Sequence, residues 1–441
     1  MKTRNLLVAA LVLAALSGAV WWAQKHPPKT DSGAAATSNS SKVVDVANAQ
    51  IQSIDLAKKD GTNVTLAQNN GKWVITQPSQ LQADQDAVSS LVSSLNPLTA
   101  DSVVEDKAAD VAKYGLTSPS LMVTVHEKNG KSDQIAFGDD VPAGSLVYAR
   151  LNSGPKVYAV SSSTKTSFDK SANDLRDKRL LTFDSAAVTR IELISSKGDI
   201  EFGKNNQNEW QIVKPQPYRA DSFQVEELLR KLTEAKMDLS GTPEDAKKIT
   251  AASAAGELAA TVKVTDAAST QTLEIRKNKD DYYAKSSVVP GVYKISSDLG
   301  KGVDKSLEDF RNKKLFDFGF SDPTKIEFQQ GSAGKAFARS GTDWRLNGKT
   351  MDPGSVQALI DKLRDVAATK FVASGFTTPE LNFTVTSNDG KRVEKVSFAK
   401  TADGYIARRE NEPSLYQLDA SAVNGILEAV NAIKPAAPAK K

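Results

Sequence analysis

At 441 residues the chain is long enough for about three domains of ordinary size, and 40% hydrophobic with 25% charged residues is the composition of folded, globular material. It has no cysteine and two histidines, which excludes disulfides, thiolate nucleophiles, iron–sulfur clusters and multi-histidine metal sites. With 57 basic against 53 acidic residues the net charge is +4, too small for a nucleic-acid binder relying on one large basic field.

Leu6 to Ala23 is an uncharged run of 18 residues, preceded by Lys2 and Arg4 and followed by Lys25. As a helix it reaches about 27 Å, close to the roughly 30 Å of a bilayer core. Leu6, Val8, Leu11 and Leu13 supply apolar surface, and Trp21 with Trp22 suits the outer membrane interface. A cleaved signal peptide competes with a retained anchor, because Ala15, Ser17 and Ala19 are small enough for a cleavage site. The length of the run and the paired tryptophans favour a transmembrane anchor over residues 1–25. Basic residues ahead of the run keep the N-terminus in the cytoplasm, which predicts a single-pass inner-membrane protein with a periplasmic body. With no cysteine to carry a lipid, a lipoprotein is excluded. Residues 26–47, rich in Pro, Ser, Ala and Thr up to Lys42, read as a flexible tether. Beyond the anchor the net charge falls to +1.

The body repeats. Three segments open on an alternating strand, Ser53–Leu56, Arg190–Leu193 and Lys325–Phe328, and a tryptophan follows the isoleucine of each by 19, 19 and 18 residues: Trp73, Trp210 and Trp344. Next stands an aspartate suited to cap a helix N-terminus, Asp84, Asp221 or Asp352. Apolar residues then fall four, seven, eight and eleven positions on: Val88, Leu91, Val92, Leu95; Val225, Leu228, Leu229, Leu232; Val356, Leu359, Ile360, Leu363. That spacing predicts one amphipathic helix per copy.

Strands resume at Leu121, Ala260 and Leu381, followed by hairpin signals in which Tyr148, Tyr283 and Tyr405 pair across to Tyr158, Tyr293 and Tyr416. Copies one and two close alike, on Asp174-Leu175-Arg176-Asp177-Lys178 and Asp309-Phe310-Arg311-Asn312-Lys313, whereas copy three lacks this segment. The predicted fold class is therefore α+β: an N-terminal transmembrane helix and tether, then three tandem α+β domains with antiparallel strands and one main amphipathic helix each. The repeats are placed at 48–187, 188–322 and 323–435, the last shortened, with a tail at 436–441.

Sites of chemistry are scarce. Gly348-Lys349-Thr350 imitates the end of a phosphate loop, but Asp343 stands where the loop requires glycine. His126 reads as an exposed strand-end residue with no partner legible nearby. Asp139-Asp140 and Asp280-Asp281 belong to no calcium-loop pattern, and the recurring tryptophans read as core. No catalytic, cofactor-binding or metal-binding residue is assigned. Arg176 and Arg311 stand out as contacts between repeats or to a partner.

Several motifs together resemble a bacterial family, the domain of unknown function 4340. They are the N-terminal anchor, Trp73-Val74-Ile75 before Ala83-Asp84, Tyr114-Gly115-Leu116-Thr117-Ser118-Pro119, Phe137-Gly138, and Val147-Tyr148-Ala149-Arg150 with Val157-Tyr158. Copy two departs from the pattern, with Ala251-Ala252-Ser253-Ala254-Ala255-Gly256 at the Tyr-Gly-Leu segment. The resemblance implies an envelope accessory protein working beside ABC-type permease and ATPase subunits, with no catalytic motif to carry over. Absence of chemistry and presence of repeats favour a membrane-anchored extracytoplasmic binding or scaffold protein without cofactors. Two alternatives stand beside it: an envelope hydrolase acting on glycan or peptide through carboxylates, and a structural spacer.

Overall fold

A computed structural model of the chain describes residues 41–44, 46–142 and 144–437. The anchor residues Leu6, Val8, Leu11, Leu13, Trp21 and Trp22, and most of the tether, lie outside the described residues. No helix among the described residues is long and apolar enough to cross a membrane.

Three antiparallel sheets of nine, eight and nine strands follow one another. In each, a strand from the start of the repeat lies at the centre, beside a long strand from beyond the helix. Ile51–Lys58 pairs with Leu121–Glu127, Arg190–Ser195 with Glu257–Thr265, and Lys325–Gln330 with Leu381–Ser387. One meander runs outward from the centre, a helix carries the chain back, and a second meander runs outward on the other side. Alternation drives this arrangement, since successive strand residues face opposite sides. Leu121, Val123 and Val125 are buried, as are Leu381, Phe383 and Val385.

Helices α1 (Gln85–Ser93), α2 (Ser222–Thr233), α3 (Pro243–Ala254), α4 (Pro353–Asp365) and α5 (Ala420–Ala432) are the long ones among the described residues. Asp84, Asp221 and Asp352 cap α1, α2 and α4, each accepting from backbone N–H groups of the first turn at 2.9–3.2 Å. Their apolar stripes are buried, and so are Trp73, Trp210 and Trp344. The main amphipathic helix expected in each repeat is present, and further helices accompany it. The second repeat adds α3 where the first and third place a short edge strand, Ser102–Glu105 or Lys370–Val372. The third closes on α5 where the others have two short helices.

Two of the three tyrosine pairs are corrected too, Tyr148 with Tyr158 and Tyr283 with Tyr293, whereas Tyr405 and Tyr416 share one face of the sheet as diagonal neighbours. Tyr148 opposes Ala159 and Ala149 opposes Tyr158, so the two rings stand on adjacent rungs and face opposite sides of the sheet. Tyr148 packs instead on Tyr114, with ring centroids 4.7 Å apart.

The joints fall earlier than the sequence spacing places them. One core runs from Val43 to Leu175, a second from Leu180 to Phe310, and a third from Leu315 to Val430. By contacts the chain divides into two compact units at Asp177/Lys178, rather than after residue 187, and the later unit holds the second and third sheets. Phe310 buries into the second core and Leu315 into the third, so that joint lies near Arg311, not at residue 322.

Ser41–Val44 also belongs to the body, because it forms a ladder with Leu98–Ala100 and buries Val43. This entering strand has counterparts in Arg179, bridged to Lys236, and in Lys314, bridged to Ala367. Residues 41–44, which fall within the tether expected over 26–47, are therefore part of the body.

Candidate functional site

Each repeat ends with a segment that runs antiparallel past the residues before its helix cap. Ala83 bridges Arg176, Ala220 bridges Arg311 and Met351 bridges Pro435. The cap N–H groups of Asp84, Asp221 and Asp352 donate to the carbonyls of Leu175, Phe310 and Lys434 at 2.7–2.8 Å. Copy three thus has the closing segment that its sequence seemed to lack, with Pro435 where the others carry arginine.

Arg176 is half-buried at this position in the first repeat. Arg311 is buried in the second. Its guanidinium lies 4.2 Å from the Tyr218 ring centre and 3.4 Å from that of Phe371, while it donates to Ser414 Oγ and Glu308 Oε1, both at 2.8 Å. Tyr218 belongs to the second sheet and Phe371 to the third, and Ser414 directly precedes the third sheet's strand Leu415–Leu418. Arg311 therefore rivets the two repeats inside one compact unit.

A second arginine, Arg219, stands two residues before the cap Asp221, where the other copies have Gln82 and Thr350. It reaches Glu412 at 3.0 Å and Asp317 at 3.4 Å, and donates to the Tyr416 hydroxyl at 3.2 Å and to the Lys314 carbonyl. Glu412 also accepts from Tyr416 and from Arg409, each at 2.7 Å. Arg409 continues to Glu394 at 3.0 Å, and Glu394 accepts from the Asp317 backbone N–H at 2.9 Å. Arg392 joins Glu209 of the second repeat to the Asp317 carbonyl.

Electrostatics follow from this packing. Burial opposes the charge on Glu412, yet Arg219 and Arg409 outweigh it and, with the Tyr416 hydroxyl, hold its pKa below the ordinary carboxylate value. Burial, with the Glu412 charge adding, pushes the Tyr416 phenol up. Arg219 loses to burial but gains more from Tyr416, Glu412 and Asp317, so its pKa rises.

These groups border a cleft of about 510 Å³ lined by residues 205–222 of the second repeat and 317–414 of the third. Sequence reasoning found Arg311 and missed Arg219, Glu412 and Tyr416. The one available signal was the departure of Arg219 from its counterparts in the other copies.

The remaining candidates sit elsewhere. His126 does have partners: Nδ1 lies 2.8 Å from Ser132 Oγ, and Nε2 lies 2.9 Å from Asp55 Oδ2. Ser53, His126 and Ser132 occupy successive cross-strand positions, so the line is a polar ladder on a half-exposed sheet face. Asp139 and Asp140 are exposed, and Asp281 pairs with Lys294 at 2.8 Å. Among the described residues no group of three or more His, Asp or Glu could hold a metal ion.

Tyr114-Gly115-Leu116 packs onto Phe137-Gly138. A Cβ on Gly138 would lie 2.1 Å from the Tyr114 carbonyl oxygen, and one on Gly115 would lie 2.4 Å from Asp139 Oδ1. Copy three carries a related segment that sequence reasoning overlooked, Gly375-Phe376-Thr377-Thr378-Pro379, with Arg408 over the Phe376 ring at 4.7 Å.

The family model described as Domain of unknown function (DUF4340) matches residues 73–209 and again 210–384. Both matches open on a repeat tryptophan, Trp73 or Trp210, so their frame is offset from that of the sheets. No curated protein and no solved structure matches the chain.

Proposed function

The chain belongs to the DUF4340 family, and on that footing we propose that it is a membrane-anchored extracytoplasmic binding and scaffold protein, an accessory component of an ABC-type transport system. The joint between the second and third repeats carries the reading. Buried Arg311 and half-buried Arg219 fix two sheets to one another and leave a polar cleft beside them. A scaffold needs surfaces held at a set spacing, and this joint supplies that. The apolar run Leu6–Ala23, ending on Trp21 and Trp22, supports the anchor.

A hydrolase working through carboxylates has less support. A general acid must keep its proton near neutral pH, whereas Glu412 is shifted the opposite way, and Glu209 and Glu394 are bonded to arginines. A plain spacer explains the fixed joint but gives the cleft no role.

Photo-crosslinking in intact cells, followed by mass spectrometry of the purified membrane fraction, tests the proposal. Crosslinks from the body to permease or ATPase subunits are expected. Crosslinks confined to the protein itself would refute it. An alkaline phosphatase fusion after residue 441 should be active if the body is periplasmic.

A further inference from the structure

The cleft between the second and third repeats contains many charges and leaves none of them unpaired. Arg219 and Arg409 share Glu412, Arg409 also holds Glu394, and Arg392 holds Glu209. An ionic ligand would have to displace one of these partners, at the cost of leaving a desolvated charge behind. What remains on offer is neutral. The side chains of Gln207, Gln211 and Asn411 are exposed at the cleft and make no hydrogen bond among the described residues. An amide can both donate and accept, which matches the dual character of a hydroxyl.

The walls point the same way. Trp210, Pro217, Tyr218, Ala220 and Pro413 give short apolar strips, and no lining residue is Leu, Ile, Val, Met or Phe. An acyl chain or an apolar peptide side chain would find no matching pocket, while the C–H faces of a sugar ring would. The volume of about 510 Å³ is in the range that holds small ligands. We infer that this cleft is a binding site for a neutral saccharide, held through its hydroxyls by Gln207, Gln211 and Asn411. The inference rests on reading the chain as a binding protein.

Full-length protein in nanodiscs, titrated with N,N′-diacetylchitobiose and with maltose, tests it by saturation-transfer difference NMR. Saturable binding of at least one sugar is expected, at about millimolar affinity, and the two arms separate an acetamido glycan from a plain hexose glycan. The variant Gln207→Ala/Gln211→Ala should weaken binding about tenfold through two lost hydrogen bonds. Gln330→Ala, an exposed amide at the end of the strand Lys325–Gln330 and outside the cleft, should leave it unchanged. Both variants alter exposed side chains, and matching unfolding curves verify their folding. Absence of saturable binding to both sugars overturns the inference, as does unchanged binding in the double variant. A protein that crosslinks to transporter subunits but binds neither sugar loses only this inference. One that binds sugar but crosslinks to nothing loses only the transporter assignment.

Discussion

The Arg311 guanidinium lies 3.4 Å from the ring centre of Phe371, sixty residues further along the chain. The Tyr218 ring centre lies 4.2 Å away, and Ser414 accepts one N–H at 2.8 Å. A desolvated cation–π contact contributes about 2 kcal/mol, and a charge-assisted hydrogen bond about as much again. Arg311→Ala is therefore expected to destabilise the unit formed by the second and third repeats by about 3 kcal/mol in urea unfolding. Arg311→Lys should recover less than half of that, because an ammonium lacks the planar face that stacks on aromatic rings. A loss below about 0.5 kcal/mol, the range of ordinary surface substitutions, would show that the stack holds nothing together.

Glu412 gives the same joint a pH dependence with a defined sign. Its pKa in the folded chain lies below the ordinary value, since Arg219 and Arg409 overcome the burial that opposes its charge. The stabilisation is complete above the unfolded-chain pKa of about 4.3 and is lost as pH falls through the lower folded value. Glu412→Gln should thus be less stable than the parent at pH 7, by an amount that stays constant down to about pH 5. The gap should close below about pH 4. Denaturation midpoints measured from pH 3 to 7 check this, and a gap that widened in acid would contradict the assignment.

Local spacing made some of the architecture legible, and distance concealed the rest. Asp84, Asp221 and Asp352 could be read as caps because the N–H groups they satisfy lie two or three residues away. The stripes behind them repeat with the period of a helix. Arg219 shows the opposite case, since its partners Asp317, Glu412 and Tyr416 are 98, 193 and 197 residues distant. Pro435 escaped notice for a different reason. The feature that recurs there is a pair of backbone hydrogen bonds, which leaves no mark in side-chain identity.

The Tyr-Gly-Leu and Phe-Gly segments of the first repeat make a steric prediction. Gly138 has the Tyr114 carbonyl where a Cβ would stand, at 2.1 Å, and backbone there cannot yield without moving the sheet. Gly115 has a φ of +70° and faces the end of the Asp139 side chain, which can swing aside. Gly130 also has a positive φ, at +86°, but nothing lies within 4 Å. Gly138→Ala should cost about 3 kcal/mol, against about 1 kcal/mol for Gly130→Ala, where only the backbone conformation is penalised. Gly115→Ala should fall between. Equal losses at positions 130 and 138 in thermal unfolding would show that the two segments do not clasp as described.

The end of the chain offers the last test. Lys434 accepts from the Asp352 N–H at 2.8 Å, and the Ala436 N–H donates to Thr350 at 3.0 Å. Met351, held between them opposite Pro435, is buried. In the first two repeats the same pairing leads into a further repeat, so its persistence in the third implies that it completes the domain. Truncation after Ile433 removes both hydrogen bonds and uncovers Met351. It should destabilise the later unit by about 2 kcal/mol or more. Truncation after Ala437 leaves the pairing whole and should match the parent within about 0.5 kcal/mol. Equal stability of the two truncations in urea would mean that the closing segment follows the joint geometry without contributing to it.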